Sequence, residues 1–259
     1  MWASPLGLWL LVACIDHLLE APYVLATGVG QDARSLSPTA ARTLLVAGPA
    51  GVFEVDGSGA VVPLSKQPAI AAVGHARFTA VLDAQGLTFG HGPPWTPGHH
   101  VALPGAVAAQ AWCDDQVLVL AQGALWLARA DQTEPTRWAT APADAVDLAL
   151  GPQGDCAAAL VLSPTRLWVV DPDGQRLLAE GLQQATAVGA DRSRALWVVH
   201  EDPPVLARIE AGRPVTVARH LAPTTDLRFG TGGLLHPDNA YLLTRQGTVD
   251  YVRIPAPAP

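Results

Sequence analysis

Residues 116–130 read QVLVLAQGALWLARA, two apolar runs, QVLVLAQ and ALWLARA, divided at Gly123. Runs this short, rich in Val, Leu and Trp and broken by a turn residue, read as two antiparallel strands. The unit returns along the chain. TLLVAG (43–48), RFTAVLDA (77–84), AAALVLS (157–163), ALWVVHE (195–201) and NAYLLTR (239–245) are each followed, after a turn holding Gly or Pro, by a second strand: GVFEVD, GLTFGH, RLWVVDP, VLARIE and TVDYVRI. Together these make six copies spaced by about 40 residues.

A strand of small residues precedes most of the pairs, as in AIAAVG, AVAAQA, AVDLAL, ATAVGA and TDLRFG. A fourth strand follows most of them, as in AVVPLS, HVALPG, RWATAP, RLLAEG and VTVARH. Four strands per unit at this period, with no helical pattern between, predict an all-β fold: a six-bladed β-propeller of four-stranded antiparallel blades. Alanine-rich first strands suit the crowded axis of such a ring. Phe53, Trp126, Trp168 and Trp197 sit in period-two apolar strands, which assigns them to packing between blades. Over residues 43–255 the pattern resembles the six-bladed propellers that include the TolB-like and NHL-repeat groups. The turns GPQGD and LHPDN look like the turn before a blade's second strand, but the other blades lack it, and there is no Trp-Asp dipeptide or Asp-box. A pair of β-sandwiches, the alternative fold, would need a linker, and none interrupts residues 43–255.

The start of the chain, MWASPLGLWLLVACIDHLLEAP, carries an apolar run from Pro5 to Ile15. A membrane span needs roughly 20 apolar residues, so the run has the length of a signal-peptide core instead. Leu11-Val12-Ala13-Cys14 resembles the bacterial lipobox, although no Lys or Arg precedes the apolar run. That resemblance implies a signal segment over residues 1–13, a mature chain lipidated at Cys14, and a periplasmic or outer-surface lipoprotein held on a bacterial membrane. Residues 14–42 then form the anchor and tether, because GVGQDARSLSPTAAR (28–42) is rich in Gly, Ser, Thr and Pro without periodicity. The propeller domain spans residues 43–259. Two alternatives stay open: a short packed helix with Cys14 as an ordinary thiol, and cleavage after Ala26. An open ring exposes sheet edges, so a strand from PYVLATGV or ARTLLVAG is expected to complete the last blade.

The 16 basic residues include one lysine, Lys66, and the net charge is -7. Such a chain has no basic field for a phosphate backbone, which argues against nucleic acid as a partner. Cys113 and Cys156 lie in turns of adjacent blades and either form a disulfide or remain buried thiols.

The densest polar motif is HGPPWTPGHH (91–100). His91, His99 and His100 are weak metal candidates, since adjacent residues of a strand point to opposite faces; the motif reads as a stiff exposed loop on which Trp95 could meet a partner. Some lactonase-like six-bladed propellers hold calcium on the axis with Glu, Asn and Asp. That resemblance would assign a divalent metal to Asp147 and Asp226, the acidic exceptions in the first strands, but the only asparagine is Asn239. Glu201 and Asp202 read as a solvated pair and Ser163 as a turn residue, and there is no Gly-x-Ser-x-Gly or Gly-rich phosphate loop. On the opposite face, turns carry His75, Arg77, Asp114, Asp115, Arg192, Arg194 and His236, a mixed-charge rim suited to a protein partner. The expectation is an extracytoplasmic propeller that acts by binding, without a cofactor, as a scaffold or accessory subunit of an envelope assembly. A divalent-metal hydrolase and a cytosolic propeller are the alternatives.

Overall fold

The structure, a computed structural model, describes residues 22–92, 94–151, 156–233 and 235–254. The signal-like segment and Cys14 lie outside the described residues. Strand β1 (Tyr23–Thr27) comes first, followed by β2 (Ser35–Pro38), β3 (Leu44–Gly48), β4 (Gly51–Val55) and β5 (Val61–Ser65). The second group is β6 (Ala71–Gly74), β7 (Thr79–Leu82), β8 (Gly86–His91) and β9 (Thr96–Ala102). The third is β10 (Ala106–Trp112), β11 (Gln116–Ala121), β12 (Ala124–Arg129) and β13 (Thr136–Thr140). The fourth is β14 (Asp147–Leu150), β15 (Ala159–Ser163), β16 (Arg166–Asp171) and β17 (Gly174–Glu180). The fifth is β18 (Ala185–Ala190), β19 (Leu196–Glu201), β20 (Pro204–Glu210) and β21 (Arg213–Ala218). Finally come β22 (Thr224–Phe229), β23 (Asn239–Thr244) and β24 (Thr248–Arg253).

Each group forms an antiparallel sheet in chain order, and β1 joins the last as its outer strand, in the order β22, β23, β24, β1. The first strands of neighbouring blades contact one another around the ring, β22 closing onto β2. The fold is therefore a six-bladed β-propeller, and PYVLATGV supplies the closing strand. Tyr23 lies opposite Tyr251 with the rings stacked 5.4 Å apart. Backbone bonds from Val29 N–H to Gly247 O (3.2 Å) and Asp32 N–H to Arg245 O (2.9 Å) extend the seam.

The tether boundary is corrected by these strands. Residues 23–42 contribute β1 and β2, so the propeller begins about 20 residues before Thr43. SLSP escapes detection because a strand at the axis is crowded on both faces and needs small side chains, not an apolar stripe; Ser35 and Ser37 are both buried.

Each blade interface holds one apolar cluster. Phe53 packs between blades six and one, Trp126 between two and three, Trp168 between three and four, and Trp197 between five and six. Period-two alternation gives each middle strand two apolar faces: Trp197 and Val199 face blade six, while Val198 faces blade four. At the start of the third strand, Gly51 (φ +125°) lies so close beneath the outer strand that a Cβ would meet the Ser65 carbonyl oxygen. Gly86 stands in the same relation to Val101.

Candidate functional site

Asp226 and Arg228 are two apart on β22 and so share its face. Arg228 is buried between three blades. Its guanidinium lies 2.9 Å from Asp226 Oδ1 and 3.5 Å from Asp147 Oδ1 on β14. It also donates to Val188 O on β18 (3.1 Å) and to Leu227 O (2.8 Å). Asp147 Oδ2 accepts from Val188 N–H (3.0 Å), and Asp226 accepts from Leu36 N–H and Leu227 N–H, both at 2.6 Å. One ionic network therefore ties the first strands of blades four, five, six and one, crossing the seam between the chain's two ends. Burial pushes the Asp226 carboxyl up to about 7; Arg228 opposes that shift and the like charge of Asp147 adds to it.

Asp147 and Asp226 do converge, but on an arginine. A hard cation would need six or more oxygens where a guanidinium already sits between the two carboxylates, so the donor set does not fit calcium. Among the described residues no group of three or more His, Cys, Asp and Glu is placed to hold a metal. Asn239 donates to Tyr241.

Arg228 divides the channel. Toward the turns between second and third strands lies a pocket of about 40 Å³ reached past Arg34 and Thr225. Toward the turns between first and second strands the channel opens into a mouth of about 460 Å³, lined by Gln110, Arg192, Arg194 and Phe229. Gln110 is buried, and its amide has no side-chain partner among the described residues. Gly189 lets the Phe229 ring pack closely on the β18 backbone, since a Cβ there would press on that ring.

The rim residues pair between adjacent blades. His75 and Arg77 reach Asp115 at 3.3 and 2.6 Å, joining blades two and three. Cys113 and Cys156 form a disulfide, Cα atoms 5.8 Å apart, joining blades three and four. Arg192 meets Asp238 at 2.7 Å, joining five and six, with His236 at 3.8 Å from the same carboxylate. Asp191 caps its own turn and accepts from Trp197 Nε1 (2.9 Å). Arg194 and Asp114 are exposed and have no ion-pair partner among the described residues. Arg228 was not expected as the central residue; its one signal is an arginine two positions from an aspartate in a strand otherwise expected to be small.

The histidine loop is dispersed. His91 is exposed, His99 Nε2 meets Gln132 O of the next blade, and His100 Nδ1 lies 3.0 Å from Thr88 Oγ1 of its own blade. The three therefore do not form a metal site. Trp95 is half-buried: its Nε1 donates to Thr79 O (3.1 Å) and its ring packs against the cluster between blades one and two. Ser163 is buried and donates to Asp144 (2.8 Å), and Glu201 pairs with Arg245 (2.6 Å).

No protein-family model matches the chain. No curated protein matches it significantly. Solved structures of similar fold include a Bacteroides thetaiotaomicron protein of unknown function, with a TM-score of 0.67 at 10% identity over 92% of this chain and 73% of that one. A streptogramin B lyase gives 0.63 at 9% identity, covering 91% of this chain and 97% of the other. The WD40 propeller domain of Doa1 gives 0.63 at 12% identity, covering 89% and 81%. These likenesses show the fold.

Proposed function

We propose that the chain is an extracytoplasmic, lipid-anchored β-propeller that binds a protein partner through the face carrying its first-to-second-strand turns, as a scaffold or accessory subunit of a cell-envelope assembly. The observation that carries this reading is Arg228: it engages both axial carboxylates, so the channel holds a fixed ionic network beneath a mouth that offers Gln110 and Arg194 to an incoming acidic side chain. The Cys113–Cys156 disulfide supports an oxidising compartment, in keeping with the lipobox-like LVAC sequence. Kinship with TolB-like and NHL-repeat propellers rests on period and strand pattern. A lyase and a WD40 domain on similar folds illustrate that the ring itself dictates neither chemistry nor partner.

The test places a photoreactive amino acid at position 194 or, on the outer strand of blade one, at the exposed position 62, in the native host. The reading expects one discrete protein adduct from position 194 and none from 62, with palmitate labelling lost in Cys14→Ser. Equal adducts from both positions, or none from 194, would contradict it.

A further inference from the structure

A second cavity, of about 510 Å³, lies in the crevice between blades four and five, away from the axis. Its floor includes His200. In the register of the ring, the residue opposite the first position of the inner strand is Ala47, Leu82, Ala121, Leu162 or Thr244 in the other blades; in blade five it is His200, opposite Ala185. Alternation puts His200 on the same face of β19 as Val198, which packs against blade four. His200 is 5% exposed.

Its hydrogen bonding is half complete. Gln183 N–H donates to Nδ1 (3.2 Å), which leaves the proton of the neutral ring on Nε2, and that Nε2 has no partner. Burial lowers the pKa of this histidine, holding it in the neutral form. A buried donor without an acceptor costs about 1–3 kcal/mol; Nε2 is closed off in this structure, and a ligand acceptor that reached it after a small turn of the imidazole toward the cavity would recover that energy. Pro203, Val205, Ala207 and Pro214 supply an apolar wall, and Arg219 stands exposed on the same lining with no partner among the described residues. Of the nearby carboxylates, Glu201 is taken by Arg245 and Asp202 lies outside the lining. The volume falls within the range of roughly 300–1,000 Å³ usual for small-molecule sites.

We propose that this crevice binds a small amphipathic organic anion, its oxygen acceptors taken by Arg219 and His200 Nε2–H and its apolar body lying along Pro203, Val205 and Pro214. The site is independent of the rim, so its loss would leave the partner-binding reading standing.

Calorimetric titration of the full chain with 1-naphthoate, and with 1-naphthalenemethanol as the uncharged counterpart, tests it. The expected result is saturable binding of one naphthoate per chain, with the alcohol about tenfold weaker. Arg219→Ala and His200→Phe should each weaken naphthoate about tenfold, the loss of one charge-assisted or buried hydrogen bond. Thr216→Trp, on the exposed outer strand lining the cavity, should abolish binding with the melting temperature unchanged. Absence of saturable binding, or affinity that stays within about twofold of wild type in both Thr216→Trp and Arg219→Ala, would overturn the proposal. Both of those residues are exposed, so the test does not depend on His200→Phe folding.

Discussion

A guanidinium at 6% residue exposure must find its counter-charges inside the ring, and Arg228 finds them in Asp147 and Asp226 of two different blades. Removing it leaves two carboxylates buried without a counter-charge, held only by backbone N–H donors. Arg228→Met should therefore cost about 3–5 kcal/mol in chemical denaturation, and adding Asp147→Asn with Asp226→Asn should restore a substantial part. A loss below about 1 kcal/mol would mean that the network does not form in solution. The sign of the pH effect follows from the raised Asp226 pKa. Between the unfolded value of 3.8 and about 7 the folded state holds the extra proton, so this group's contribution is complete below 3.8 and fades as the pH rises to 7. Relative to Asp226→Asn, the wild type should lose on the order of 2 kcal/mol between pH 5 and pH 7, so the deficit of the variant shrinks with rising pH. A constant difference across that window would contradict the shift.

At the scale of strands, the hairpins were legible because their members pack on both faces and so carry Val, Leu and Trp in unbroken runs, as in QVLVLAQ and RLWVVDP. Strands at the two ends of a blade obey other rules. Ser35 and Ser37 in β2 meet the demand for small side chains at the axis, and Tyr23 and Val24 in β1 are exposed on the outer edge; neither run looks like a core strand. Asp147 and Asp226 were visible as acidic exceptions, but what they meet depends on the register of distant blades, which no local pattern encodes. His200 was hidden for the same reason, inside ALWVVHE. Two predictions belong here. Deleting residues 1–28 removes β1 and leaves the edge of β24 unpaired, so the truncated chain should self-associate in a concentration-dependent way in analytical ultracentrifugation. A truncated chain that stays monomeric would show that closure does not rest on β1. The disulfide spans 43 residues, and Cys113→Ser with Cys156→Ser should cost about 2–4 kcal/mol in denaturant titration. A double variant as stable as wild type would argue that the bond is not formed in the native protein.

Across the whole molecule, the turns of one face are linked to their neighbours: blades two and three by Asp115, three and four by the disulfide, five and six by Asp238. The exposed ion pairs add little stability individually. Their arrangement matters for binding, since a face whose side chains are already ordered loses less entropy when a partner docks. The mouth at its centre keeps Arg194 and Gln110 available while the axis below is filled by Arg228. The most direct test of the account is native mass spectrometry of the protein extracted from its own host in mild detergent, beside an Arg194→Glu variant. The account predicts a chain beginning at diacylated Cys14, two hydrogens lighter than its reduced form, with a co-extracted protein that the variant loses. An unprocessed chain retaining Met1, without lipid and with no protein attached, would contradict it.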